Sequence, residues 1–215
     1  MFGDNGIILK RFPIGENSLA VYIYTPSLGL RSFIAPDYFK GEKYKLGLLE
    51  PFNYHFFWLE EENGSLTLVD WVEKEYFHLR AAKNYQRFHF MAQINKTILS
   101  FIKDGDPQVL DLILTAYAVE GNFNFNLIRF WLNLSTLLGF SIERLNRPGW
   151  VNLLTLKGCS PREIHQKGVC IYVSPKVFFL LKRISHERTK PFIVHQKELL
   201  EVQGFFYRFF RIHSQ

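Results

Sequence analysis

Between Gly29 and Phe52 the chain reads GLRSFIAPDYFKGEKYKLGLLEPF, with the cations Arg31, Lys40, Lys43 and Lys45 interleaved with the rings of Phe33, Tyr38, Phe39 and Tyr44. Cations neutralise phosphates and supply sequence-independent affinity, while flat rings offer any base a stacking surface worth roughly 1–3 kcal/mol. That pairing suits single-stranded nucleic acid. A solvated basic loop with a few aromatics has the same spacing, so both readings stay open at this point. Lys10 and Arg11 add two cations on a strand beside Pro13. Strand neighbours point to opposite faces, so at most one of them shares a face with the loop.

Other chemistries lack their residues. The seven histidines, His55, His78, His89, His165, His186, His195 and His213, show no i, i+4 pair beside a glutamate, as a helical zinc protease requires. No phosphate-binding P-loop, dinucleotide fingerprint or nucleophile elbow is present. A metal-dependent nuclease needs clustered carboxylates, and the nearest are Asp104, Asp106 and Asp111, of which Asp106 already reads as a helix cap. Glu60, Glu61 and Glu62 read as the solvated tip of a hairpin. No catalytic residue, cofactor or metal is expected.

The elements that would carry the cations follow from period. Five short extended runs, at 7–12, 19–24, 30–35, 48–59 and 66–75, are separated by turn residues, with Asn63-Gly64 the strongest hairpin signal. In the third run Arg31 alternates with Ser32. Five strands in so short a segment predict a small closed barrel, of which the oligonucleotide-binding (OB) barrel is one form. After Phe77 the period becomes helical. Helices are expected at 85–102, after the Asp106-Pro107 cap at 109–119, at 125–138, after Ser174-Pro175 at 177–188, and at 196–212. The expectation is an α+β chain: a barrel domain over 1–78, then a mostly helical domain over 79–215 with an irregular insert at 142–173. Aromatics on nearly every side of the last helix read as core.

Composition bounds the class. A chain of 215 residues accommodates one large or two small domains, and 22 Phe argue for dense packing over disorder. The net charge of +6 is uneven: residues 1–80 hold 8 Lys/Arg against 11 Asp/Glu, and residues 151–215 hold 11 against 4. An anionic partner is implied. Cys159 and Cys170 fit a reducing compartment, and although one disulfide between them is possible, none is expected. No signal-peptide core and no apolar run of membrane-spanning length is present, so a soluble cytoplasmic protein is expected.

These motifs resemble the RecO family of bacterial recombination and repair mediators. The resemblance is carried by ILKRFPIGENSLAVYIYTPSLGLRSFIAPDYFKGEKYKLGLLEPF at 8–52 and IRFWLNLSTLLGF at 128–140. Gly15-Glu16 stands before the second strand, and Gly29-Leu30 before the Arg31 strand. The basic loop leads to Glu50-Pro51-Phe52, and Arg129-Phe130 to Leu138-Gly139-Phe140. The resemblance implies an OB domain followed by a helical domain, binding of single- and double-stranded DNA and annealing of complementary strands. It further implies assistance to RecA loading together with RecR, contact with the tail of single-stranded-DNA-binding protein, and a nucleoid-associated location. It assigns DNA contacts to Arg31 and Lys40, Lys43 and Lys45. Lys10, Arg11, Tyr38, Phe39 and Tyr44 are further DNA-binding candidates, and Arg129 is the candidate for a partner's terminal carboxylate. Two departures stand out. The four-cysteine zinc module of many members is reduced to Cys159 and Cys170, with no CxxC pair, and the basic tail of longer members is lacking. The expected function is a non-enzymatic DNA-binding mediator, and the alternative is a protein-interaction adaptor with weak or no DNA binding.

Overall fold

The computed structural model describes residues 1–40, 48–62, 64–164, 169–186 and 190–213. They form two compact units, Met1–Ala118 and Val119–Gln215. In the first unit, β1 (Phe2–Ile14), β2 (Ser18–Thr25), β3 (Gly29–Ala35), β4 (Tyr54–Glu62) and β5 (Ser65–Glu75) close into a barrel in the order β1-β2-β3-β5-β4. Among the described residues the β3–β5 contact is parallel and the other barrel pairings antiparallel, which gives the OB arrangement anticipated from the strand spacing. Alternation fills the interior: Leu19, Val21 and Ile23 of β2 meet Phe33 and Ala35 of β3, with Phe57, Leu59 and Leu68 opposite. Gly6 lets β1 cross closely, since a Cβ there would lie 2.7 Å from Ile23 and 2.9 Å from Thr25.

The run expected as a strand from residue 48 becomes extended only at Tyr54. Phe52 has φ 79°, which interrupts any strand, and its buried ring contacts Phe88 and Tyr117 edge-on, each at 5.9 Å. Among the described residues this unit also holds α1 (Phe77–Ala82), α2 (Tyr85–Phe101) and α3 (Pro107–Tyr117). Phe90, Met91, Ile94 and Ile98 give α2 its buried stripe, and Asp106 caps α3 by accepting from Gln108 N at 2.8 Å. Polar contacts bind the helices to the barrel. The buried Asn95 donates to Leu9 O at 2.8 Å and accepts from Tyr117. Asp106 N donates to the Tyr24 hydroxyl at 2.9 Å. Gly29, at φ 69°, presses against the α2–α3 connection so closely that a Cβ would lie 2.0 Å from Lys103 O.

The second unit holds α4 (Phe123–Leu137), the hairpin of β6 (Gly149–Asn152) and β7 (Cys170–Val173), short α5 (Pro161–Ile164), α6 (Pro175–Ser185) and α7 (Gln196–His213). Ser174 caps α6, accepting from Val177 N. Phe205, Phe206, Phe209 and Phe210 of α7 are buried, as core aromatics. Phe140 follows the left-handed Gly139 and packs on Phe209 at 5.6 Å. Cys159 and Cys170, expected from their scarcity to stay unbridged, are joined as a disulfide. Scarcity bears on the number of bridges and carries no information on whether two thiols meet.

Candidate nucleic-acid interface

Antiparallel register decides which side chains share a face. Lys10 pairs with Tyr22, and Tyr22 with Ser32; in the next row Phe12 pairs with Ala20, and Ala20 with Ile34. Both rows lie on the outer surface of β1–β2–β3, opposite Val21 and Phe33. Phe12 is 38% exposed, Ile34 36%, and Lys10 is exposed. The Phe12 and Tyr22 rings lie 5.9 Å apart at 40°, and Lys10 Nζ stands 5.8 Å from the Phe12 centroid, within cation–π range. This surface includes the strand 2–3 face by which OB barrels take oligonucleotides, widened by β1. It joins an ammonium to an accessible ring, the combination that holds a phosphate and stacks a base.

Lys10 is the predicted cation on this face; the other described ones, Arg11, Arg31 and Lys40, are placed elsewhere. Arg11 pairs in register with core residue Val21, turns to the other side and forms an ion pair with Glu50. Arg31 pairs with buried Ile23, so it belongs to the inner row and reaches solvent at the end of the barrel, where it donates to Leu30 O at 3.2 Å. Lys40 is exposed and sits 3.1 Å from Asp37. Such a solvated pair is worth under about 1 kcal/mol, so a phosphate can replace the carboxylate at little cost. Phe39 N donates to Asn17 O at 3.1 Å, tying the Lys40 turn to the β1–β2 turn beyond Phe12 and Ile14. Lys40 therefore lies at the Phe12 end of the sheet, and Arg31 near the other end of β3.

Of the stacking candidates, Tyr38 is 6% exposed, inside the barrel core and near Trp71. Its ring has no free face to offer a base, because it closes the barrel's end instead. Phe39 is half-buried against the same core. Lys43, Tyr44 and Lys45 lie outside the described residues. Arg129 is half-buried on α4 between the buried Ile128 and Phe130. Phe12 and Tyr22 are the functional candidates that sequence reasoning missed. Their signal was the alternation Lys10-Phe12 together with the tight turn at Gly15, but only the register brings Tyr22 beside them.

Behind Arg11, a groove of about 660 Å³ runs between β1 and helices α1 and α2. Leu9, Phe52, Ala81, Phe88, Ala92 and Leu99 line it, with the exposed Lys10 and Lys96 on its border. Burial lowers the pKa of His78, which also lines it, while nearby Glu50 favours and Arg11 opposes protonation. Burial also pushes the Tyr24 phenol up to about 12, keeping it neutral as a link to Asp106.

Among the described residues no three His, Cys, Asp or Glu side chains gather to hold a metal, and no helix is long and apolar enough to cross a membrane. Residues 1–74 match the family model described as Recombination protein O N terminal. No curated protein matches the chain.

Proposed function

We propose that this chain, a RecO-family protein by its N-terminal domain, is a non-enzymatic recombination and repair mediator that binds single- and double-stranded DNA and anneals complementary strands. The observation that carries the reading is the Lys10–Phe12–Tyr22 surface on the outer strands of an OB barrel. Annealing follows from charge neutralisation: cations that screen two phosphate backbones remove the repulsion between them, and no nucleotide hydrolysis is needed. Assistance to RecA loading, contact with RecR, and capture of the single-stranded-DNA-binding protein tail near Arg129 belong to the same reading. So does a cytoplasmic, nucleoid-associated location. The test is fluorescence titration of a labelled oligonucleotide at two salt concentrations, followed by annealing of complementary strands. Binding that weakens with salt, with faster annealing, is expected. Absent or salt-independent binding overturns the reading.

The apolar groove beside Phe52 and Phe88 favours a second reading, a protein-interaction adaptor, because accessible apolar concavities mark binding sites. Full annealing activity in a Lys10→Glu/Lys40→Glu variant would favour the adaptor.

A further inference from the structure

The second unit carries an aromatic pair that the barrel reading does not use. Trp150 and Tyr172 are directly opposed on β6 and β7, so both rings stand on one face of the hairpin. They are 45% and 57% exposed, with centroids 5.8 Å apart at 67°. Large rings left this open are not core. The hairpin is pinned on both sides of them: Cys159 N donates to Trp150 O at 2.9 Å, and the disulfide joins Cys159 to Cys170, two residues before Tyr172.

Opposite the rings lies α7, across a slot of about 350 Å³ floored by Val177 and Phe205. Glu201 and Arg208, seven residues apart and hence on one helix face, form its far wall. Ser174 Oγ fixes Glu201 at 3.1 Å. Gly204 stands midway between them. Glycine inside a helix is unfavourable by roughly 0.5–1 kcal/mol relative to alanine, and packing does not require it here, since a Cβ at Gly204 would meet nothing within 4 Å. What its absent side chain does is keep the slot open.

We infer that this slot is a second single-strand contact, taking one unpaired base against Trp150 and Tyr172 with its phosphate on Arg208. The inference rests on the nucleic-acid reading above and extends it to a separate surface. The slot's own lining carries one anion, Glu201, and one cation, Arg208, two helical turns apart, so a phosphate is seated at the Arg208 end; the unit around it is basic, residues 119–215 holding 14 Lys/Arg against 6 Asp/Glu, and residues 1–118 hold 12 against 14. A polyanion with exposed rings meets both the charge and the aromatic wall, and stacking tolerates every base because each has a π-face. A duplex keeps its bases stacked internally and cannot enter.

The test titrates the full chain with a fluorescent single-stranded oligonucleotide and with its duplex. Gly204→Leu fills the slot while improving helix propensity, so the protein stays folded. It should weaken single-strand binding about tenfold, as loss of one stacked base implies, and leave duplex binding unchanged. Trp150→Ala/Tyr172→Ala should do the same, and Trp150→Phe/Tyr172→Phe should restore most of the affinity. Ultraviolet crosslinking of a bromodeoxyuridine oligonucleotide should label Trp150 or Tyr172. Unchanged single-strand affinity in Gly204→Leu, or equal losses for duplex, overturns the inference and leaves the slot to a protein partner. If slot variants lose binding while a Lys10→Glu/Phe12→Ala variant does not, the slot stands and the barrel surface falls. The converse result separates them the other way.

Discussion

Lys10 and Arg31 stand on opposite sides of the same three strands, Lys10 paired with half-buried Tyr22 and Arg31 with buried Ile23. A single strand laid across the outer face meets Lys10 and Phe12 and passes Arg31 only if it bends around the barrel's end. Lys10→Glu should therefore weaken oligonucleotide binding more than Arg31→Glu. Losing one phosphate contact should also reduce the slope of log affinity against log salt by about 0.7. Titrations at several salt concentrations measure both, and an equal or larger effect at Arg31 would show that the strand follows another path.

Phe12→Ala removes the more exposed ring of the Phe12–Tyr22 pair and the partner of Lys10 Nζ. Single-strand affinity should fall about tenfold, within the range of one lost stacking contact, and the salt slope should stay unchanged because no charge is removed. Phe12 is 38% exposed and its ring is partly covered by Tyr22, so the variant should lose about 1 kcal/mol of stability, too little to unfold the barrel, and thermal unfolding measures that loss.

Much of the barrel was legible because its strands alternate and its turns carry Gly, Asn and Pro. Register was not legible, and register decides the site. Period two assigns Arg31 to one side of its strand, but which side is core depends on the partner strand, and Ile23 claims the inner side for Arg31. Tyr38 read as a stacking ring because its burial is supplied by Trp71, a residue distant in sequence. Helix α1 was missed because it is six residues long and its N-cap, Tyr76, makes no side-chain capping bond. The apolar run after residue 48 looked like strand because the left-handed turn at Phe52 falls on a residue type that rarely adopts it. Asp106-Pro107 and Ser174-Pro175, by contrast, cap the helices that they announced.

Asn95, Tyr24 and Tyr117 bind α2 and α3 to the barrel through buried or half-buried hydrogen bonds. Asn95→Ala leaves Leu9 O and the Tyr117 hydroxyl without partners, and the expected loss is about 2–3 kcal/mol. A fragment ending at Ala118, where the first compact unit ends, should unfold cooperatively. One ending at residue 78 should not, because Phe52 and Tyr24 lose their cover. Urea unfolding followed by circular dichroism distinguishes these outcomes, and a stable, cooperative 1–78 fragment would refute the dependence on the helices.

His55 is fully buried, and its Nε2–H donates to Leu48 O at 2.6 Å, while Nδ1 has no partner among the described residues. Burial lowers its pKa below the ordinary 6.5, opposed in part by the Leu48 bond and by Glu73. The unfolded chain thus binds a proton that the folded chain refuses. The stability that neutral His55 contributes is fully present above about pH 6.5 and falls as pH drops through that value, by up to about 1.4 kcal/mol per pH unit until the folded imidazole also protonates. Urea midpoints between about pH 7.5 and 5.5 should decline in the wild type and decline less in His55→Phe. Equal slopes would assign the acid sensitivity to other groups.

Cys159 and Cys170 close a loop with a sequence separation of 11, which lies between β6 and β7 and includes α5. Cross-linking a loop of this length restricts the unfolded chain by about 3 kcal/mol in the loop-entropy treatment. A reductant should therefore lower the stability of the second unit by up to that amount and leave the barrel unit untouched. The hairpin should loosen first, because β6 and β7 are each only four residues long. Hydrogen exchange followed by mass spectrometry would resolve the two units separately. Faster exchange after reduction is expected in the peptides bearing Val151 and Ile171, with no change in those bearing Val21 and Phe33. If Cys159→Ser/Cys170→Ser matches the oxidised protein in exchange and in unfolding, the disulfide contributes nothing to the hairpin.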